Sequence, residues 1–264
     1  MTGQRRRSIV RTWLDDALVA IDSESLTREA LAGPPGTVIA IGKAAAAMTR
    51  GAHQAGAISA GVCVTNASAR VPDGVDLLVG DHPIPASASM EAGTEVLKIA
   101  RSAEGRLIAL ISGGGSSLCE LPRTGIDMAF LQDVNRRLLI LGAPIEETNL
   151  VRAHLSAIKC GGVALEASVP IETLVISDVG DAGPEVVASG PTLPMDFDPD
   201  RAISIMKRYD IALSSEIRDI VNASRDHVVT GQVEVLADGM TAADAVATAA
   251  ETVGIAARVN DDWI

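Results

Sequence analysis

Aromatic residues are nearly missing from this sequence: two Trp, two Phe and one Tyr make up 2% of 264 residues. So few rings leave little material for stacking against the bases of single-stranded nucleic acid. An excess of positive charge is missing too, since 22 Lys and Arg stand against 34 Asp and Glu, a formal net charge of −12. That balance excludes a polyanion as the main ligand, because phosphate neutralisation needs clustered cations. A small anionic substrate would have to be held by local charges against a repulsive overall field. Cysteine is scarce and odd in number. Cys63, Cys119 and Cys160 are widely spaced with no CxxC pair, which argues against a disulfide framework and against structural zinc. No apolar run approaches the ~18 to 20 residues of a membrane span. Asp15 and Asp16 interrupt the apolar region that a secretory signal would need after Arg5, Arg6 and Arg7. A soluble protein of a reducing cytoplasm is expected, with neither nucleic acid nor membrane as partner.

What is present is a core of Ala, Val, Leu and Ile, in a chain that is 47% hydrophobic. Helical and short buried-strand patterns alternate along it. Helices are expected over 5–21, 43–55, 86–100, 127–141, 146–159 and 244–252. Strands are expected at 37–41, 62–65, 76–79, 107–111 and 173–176, with a further one beginning at 255–259. The run Thr37-Val38-Ile39-Ala40-Ile41 is β-branched and uninterrupted, as in a strand buried on both faces. The alternation predicts an open, mostly parallel α/β sheet with helices on both faces, in Rossmann-like layers, with ligands at the carboxyl ends of the strands. The first 225 residues read as one ligand-binding domain and 226–264 as the start of a second segment.

Five local patterns carry chemistry. Directly after a buried strand stand Ser112, Gly113, Gly114, Gly115, Ser116 and Ser117. Such glycines let backbone approach a phosphate or carboxylate closely, and the hydroxyls add donors; a plain strand-to-helix turn is the bland alternative. The dinucleotide pattern GxGxxG and the hydrolase pattern GxSxG both fail at Leu118. Lys43 follows Gly42 at a strand-to-helix junction without a Walker A spacing, and reads either as a phosphate-contacting lysine or as a solvated one. Asp178 and Asp181 follow the 173–176 strand, where carboxylates serve Mg²⁺ ligation, proton acceptance or plain turn formation. On the expected 146–159 helix, Asn149, Arg152, Ser156 and Lys159 form one polar stripe, either a solvated face or a clamp for an anionic group. His82, between Asp81 and Pro83, is a candidate base or a local hydrogen-bonding group.

Taken together, Ile41-Gly42-Lys43-Ala44-Ala45, His82-Pro83-Ile84-Pro85, the 111–118 loop, 149–159, Ser177-Asp178-Val179 and 188–192 resemble the glycerate 2-kinase family of the MOFRL type, some of whose members are labelled hydroxypyruvate reductases. The segments occur in family order over roughly 5–209. The resemblance implies transfer of phosphate from ATP, assisted by Mg²⁺, to the 2-hydroxyl of D-glycerate in a cleft between two α/β domains. It implies that Lys43 stabilises transferring charge and that Gly113, Gly114, Gly115, Ser116 and Ser117 bind an anionic group. Asp178 would assist the metal or the hydroxyl, and Arg152 and Lys159, with Asn149 and Ser189, would hold substrate. Gly180 and Asp181 stand one residue earlier than in the family pattern, so Asp181 is not ranked with Asp178. Family members continue well beyond this length, which implies a fragment, half of a split enzyme awaiting a partner polypeptide, or a truncated relative; a homo-oligomer is a further candidate assembly. Two other readings stand beside the kinase: a nicotinamide-dependent hydroxypyruvate reductase, and a non-catalytic ligand-binding module.

Overall fold

The computed structural model describes residues 3–180, 182–223 and 231–259. Asp181 and the parts of the final segment at 226–230 and 260–264 therefore lie outside the described residues. Two helices open the chain, α1 (Gly3–Ala20) and α2 (Ser23–Ala30), and the Asp22 carboxylate between them accepts the Ser25 N–H at 2.9 Å as the cap of α2. Prolines 34 and 35 then stop helical propagation, and β1 (Gly36–Ile41) begins. After it come α3 (Ala45–Gln54), β2 (Ile58–Thr65), β3 (Val75–Val79), α4 (Ser87–Ser102), β4 (Leu107–Ser112) and α5 (Gly115–Leu118). The second half adds α6 (Met128–Ile140), α7 (Ile145–Leu155), α8 (Gly162–Glu166) and β5 (Ile171–Ile176). The last elements are α9 (Pro199–Arg208), α10 (Ser215–Asn222), β6 (Val233–Ala237) and α11 (Gly239–Thr252).

The strands form one six-stranded parallel sheet in the order β3-β2-β1-β4-β5-β6. Because side chains alternate across a strand, β1 divides its apolar residues between two cores. Ile39 and Ile41 face α4 together with Val62, Val64, Ala109 and Ile111, whereas Val38 and Ala40 face α3 together with Cys63, Ile108 and Leu110. A third apolar cluster joins α6, α7, α9 and α10 through Leu131, Leu138, Val151, Leu155, Ile205 and Met206. The expected open parallel α/β sheet is therefore the observed one. Among the described residues no helix is long and apolar enough to cross a membrane.

Three sequence expectations differ. The helix expected to reach Lys159 ends at Leu155, and Ser156 is extended at φ −101°, ψ 140°. There the chain leaves the helix to pair with the segment after α5: Arg123 N donates to Leu155 O at 2.9 Å and Ala157 N to Leu121 O at 2.7 Å. The strand expected from 255 is not formed; residues 255–259 run without regular structure beyond the end of α11. Instead Val233–Ala237, where no strand is expected, pairs with β5 in the same sheet.

The cores also govern thiol chemistry. Burial pushes the Cys63 thiol up to about 11 and the Cys119 thiol up to about 12. Neither is expected to react with iodoacetamide at pH 8 in the folded protein, and both should react in 6 M guanidinium. Peptide mass spectrometry decides this, and native labelling of either residue contradicts it.

Candidate active site

In a sheet of this order the chain leaves β1 and β4 toward opposite faces, opening a crevice between their carboxyl ends. After β1 it enters α3, whose Ala45 and Met48 belong to one core; after β4 it enters α5, whose Leu118 belongs to the other. The Gly42-Lys43 turn and the glycine loop are therefore neighbours by topology. They are also tied together: Lys43 N donates to Gly113 O at 2.9 Å, and Ala44 N to Ser112 Oγ at 3.1 Å. This junction needs glycine at 42, where φ is +129° and a Cβ would lie 2.3 Å from Ser112 O.

Lys43 is exposed, and its stem lies over Gly114; a Cβ there would stand 3.0 Å from Lys43 Cε. Asp178, just past β5, approaches from the other side. Its carboxylate rests on Gly113, where an added Cβ would fall 1.8 Å from Oδ2. An exposed ammonium and an exposed carboxylate thus flank one backbone loop. Such an arrangement can neutralise an anion on one side and accept a hydroxyl proton on the other.

Below this surface lies a polar chain. Ser116 Oγ and Ser189 Oγ are 2.8 Å apart, and Ser189 Oγ donates to Asn149 Oδ1 at 3.1 Å, so Asn149 on α7 is joined to the loop. Ser189 holds a left-handed backbone at φ +61°, next to Ala188 at φ +53°, conformations costly for residues with a Cβ. Ser117 turns back on the loop and donates to Gly114 O at 3.3 Å. Lys159 lies deeper still, fully buried, where its ammonium pairs with Glu120 and donates to Ser116 O at 2.8 Å. Arg152 donates from Nε to Asn135 Oδ1 at 2.6 Å on α6, and burial holds its guanidinium below its usual range.

The predicted residues thus separate into two tiers. Lys43 and Asp178 are exposed against the Gly113–Gly114 backbone, whereas Ser189, Asn149 and Lys159 are buried and reach the loop through the half-buried Ser116. The polar stripe expected on one helix is corrected: Asn149 and Arg152 are on α7, but Ser156 and Lys159 follow its end. Lys159 consequently does not face the crevice as an open cation. His82 is exposed in the loop after β3, and Asp81 uses its carboxylate to accept Ala88 N at 3.0 Å at the start of α4. Glu120 escaped the sequence reading. Its signal was there, a lone carboxylate in the apolar run Leu118-Cys119-Glu120-Leu121-Pro122. For a divalent cation, no three His, Cys, Asp or Glu side chains gather among the described residues. Asp178 alone still fits Mg²⁺, which is commonly held by one or two carboxylates together with substrate phosphates.

Residues 9–222 match the family described as a domain of unknown function, DUF4147. The chain belongs to this family, the N-terminal domain of the glycerate 2-kinase type. A protein of Agrobacterium vitis, provisionally named a hydroxypyruvate reductase, is 37% identical over 228 residues, covering 83% of this chain and 59% of its own. A D-glycerate 2-kinase of Thermotoga maritima is 31% identical over 231 residues, 84% of this chain and 55% of its own. The crystal structure of a Thermotoga maritima glycerate kinase superposes with a TM-score of 0.85 at 26% identity, covering 95% of this chain and 63% of that one. The DUF4147 chain thus spans roughly three fifths of the length of these relatives. Family and fold agree with the resemblance read from the motifs.

Proposed function

We propose that this chain supplies the phosphate-binding part of a glycerate 2-kinase, which transfers the γ-phosphoryl group of ATP to the 2-hydroxyl of D-glycerate. The observation that carries the reading is the placement of Lys43 and Asp178 on either side of the Gly113–Gly115 loop, at the crevice between β1 and β4. In the reaction the 2-hydroxyl oxygen bonds to the γ-phosphorus while the bond from that phosphorus to the β,γ-bridging oxygen breaks, releasing ADP. Asp178 accepts the hydroxyl proton. Lys43 and the loop amides bear on the charge spread over the transferring oxygens, and positioning plus such charge accounts for most catalysis of this kind. Mg²⁺, when bound with the nucleotide, adds neutralising charge at the phosphates. Relatives named glycerate 2-kinase support the reading, and a cytoplasmic setting suits the buried thiols Cys63 and Cys119.

The reductase is the second reading, favoured by a strand order shared with dinucleotide-binding sheets and by the name of the Agrobacterium relative. Against it, the first strand-to-helix turn reads Gly42-Lys43-Ala44 with no GxGxxG. One experiment separates the two. ADP release is followed with D-glycerate, ATP and Mg²⁺, using this chain alone and mixed with a polypeptide corresponding to the C-terminal part of the Thermotoga relative, beside NAD(P)H oxidation by hydroxypyruvate. ADP release dependent on glycerate is the expected result, and release only in the mixture assigns a split enzyme. Hydroxypyruvate-dependent oxidation alone supports the reductase. Absence of turnover in every mixture, with no glycerate binding by calorimetry, removes the kinase and leaves a non-catalytic module.

A further inference from the structure

Lys159 and Glu120 are each 1% exposed, so an ammonium and a carboxylate have both been taken out of water. Burying two ions costs more than their attraction commonly returns, and a well-packed apolar pair serves stability as well or better. The location of the pair points to another role. Lys159 Nζ donates to the carbonyl of Ser116 at 2.8 Å, the residue directly after the three glycines. Glu120 is itself held from several sides: its Oε1 accepts from Ser156 Oγ and from Leu121 N at 3.0 Å. Its backbone N–H donates to Ser89 O of α4 at 3.1 Å. Ser156 Oγ in turn accepts Ile158 N at 3.1 Å and Lys159 N at 3.3 Å, fixing the turn that delivers the lysine. On its other side Ser116 meets Ser189, and Ala188 closes on Gly115, where a Cβ would lie 2.6 Å from the alanine methyl.

We propose that the Glu120–Lys159 pair is a positioning element for the glycine loop: Glu120 holds the Lys159 ammonium on the Ser116 carbonyl, and this sets the orientation of the Gly113–Ser117 backbone toward its anionic ligand. The inference rests on the kinase reading only for the identity of that ligand. Both groups act through Ser116 rather than on the substrate, since neither reaches the crevice.

The test uses the whole chain in two variants. Glu120→Leu with Lys159→Met removes both charges and keeps an apolar shape, and Glu120→Gln keeps an oxygen acceptor while removing the charge. Both are followed by thermal unfolding, by amide hydrogen exchange of the peptide covering 112–118, and by steady-state kinetics with glycerate and ATP. A folded variant should exchange in that peptide about tenfold faster than the parent. Its kcat should fall about 10²-fold with KM for glycerate little changed, the effect of a misplacement near 1 Å. Parent-like exchange in 112–118 in either folded variant overturns the proposal. If the unmodified protein neither binds nor phosphorylates glycerate, the kinase reading falls while the exchange measurement still decides this one.

Discussion

Lys43→Met is expected, under the proposed kinase function and in the mixture that completes the enzyme, to lower kcat for ADP release with D-glycerate by about 10³-fold while leaving the melting temperature of the chain unchanged. The two halves of that expectation come from different parts of the side chain. The stem lies across Gly114, and methionine is long and apolar enough to keep that contact. The ammonium is exposed, so its removal leaves no buried group without a partner. What disappears is a positive charge at the one place where β1 and β4 open toward a ligand. The surrounding field is hostile to anions at a net charge of −12, so water and distant residues offer little compensation. The loss should fall on kcat rather than on KM for glycerate, because charge accumulates on the phosphoryl oxygens as the transfer proceeds. A variant keeping kcat within tenfold of the parent would remove Lys43 from the transferring group and return it to the solvated lysine of the bland reading.

How far the site could be read from sequence follows from the range of the interactions that build it. β1 and β4 are continuous apolar runs ending in glycine, and the Gly42-Lys43 and Gly113–Gly115 turns declare themselves locally. Once a parallel sheet is inferred, their position at strand ends follows. The order that makes them neighbours does not. Strand order depends on crossovers, and β6 is not evident from sequence because Val233-Glu234-Val235 is short and exposed at a sheet edge. The strand expected at 255–259 has an equally suitable composition but finds no partner among the described residues. The polar stripe failed for a related reason. Helical spacing was extended through Ser156, whereas pairing with Leu121 and Arg123, more than thirty residues earlier, ends the helix at Leu155. Lys159 looked like a binding cation because its counter-charge, Glu120, is 39 residues away in sequence. The family motif put the lysine in the right neighbourhood. Only the long-range contact shows which way its charge is spent.

That contact yields the largest expected stability effect in the chain. Glu120→Ala should destabilise the fold by about 3–5 kcal/mol, the usual cost of removing one member of a buried ion pair. The lysine then remains in a dry site without its carboxylate, and the donors Ser156 Oγ and Leu121 N lose an acceptor at the same time. Charge itself is the cause, so the loss should depend on pH in a definite direction. Burial already holds the Lys159 ammonium below its usual range, with Glu120 opposing that effect; without Glu120 the folded value falls further. Between that depressed folded value and an unfolded one of about 10.4, the unfolded chain binds more protons than the folded chain, and stability therefore rises with pH. The deficit of Glu120→Ala relative to the parent should accordingly shrink from pH 7 toward pH 10, measured by urea unfolding at each pH. Glu120→Leu with Lys159→Met, which carries no buried charge, should show neither the deficit nor this pH trend. A deficit in Glu120→Ala that stays constant across the range would assign the cost to the cavity and lost hydrogen bonds rather than to the lysine. Equal deficits in the single and double variants would point the same way.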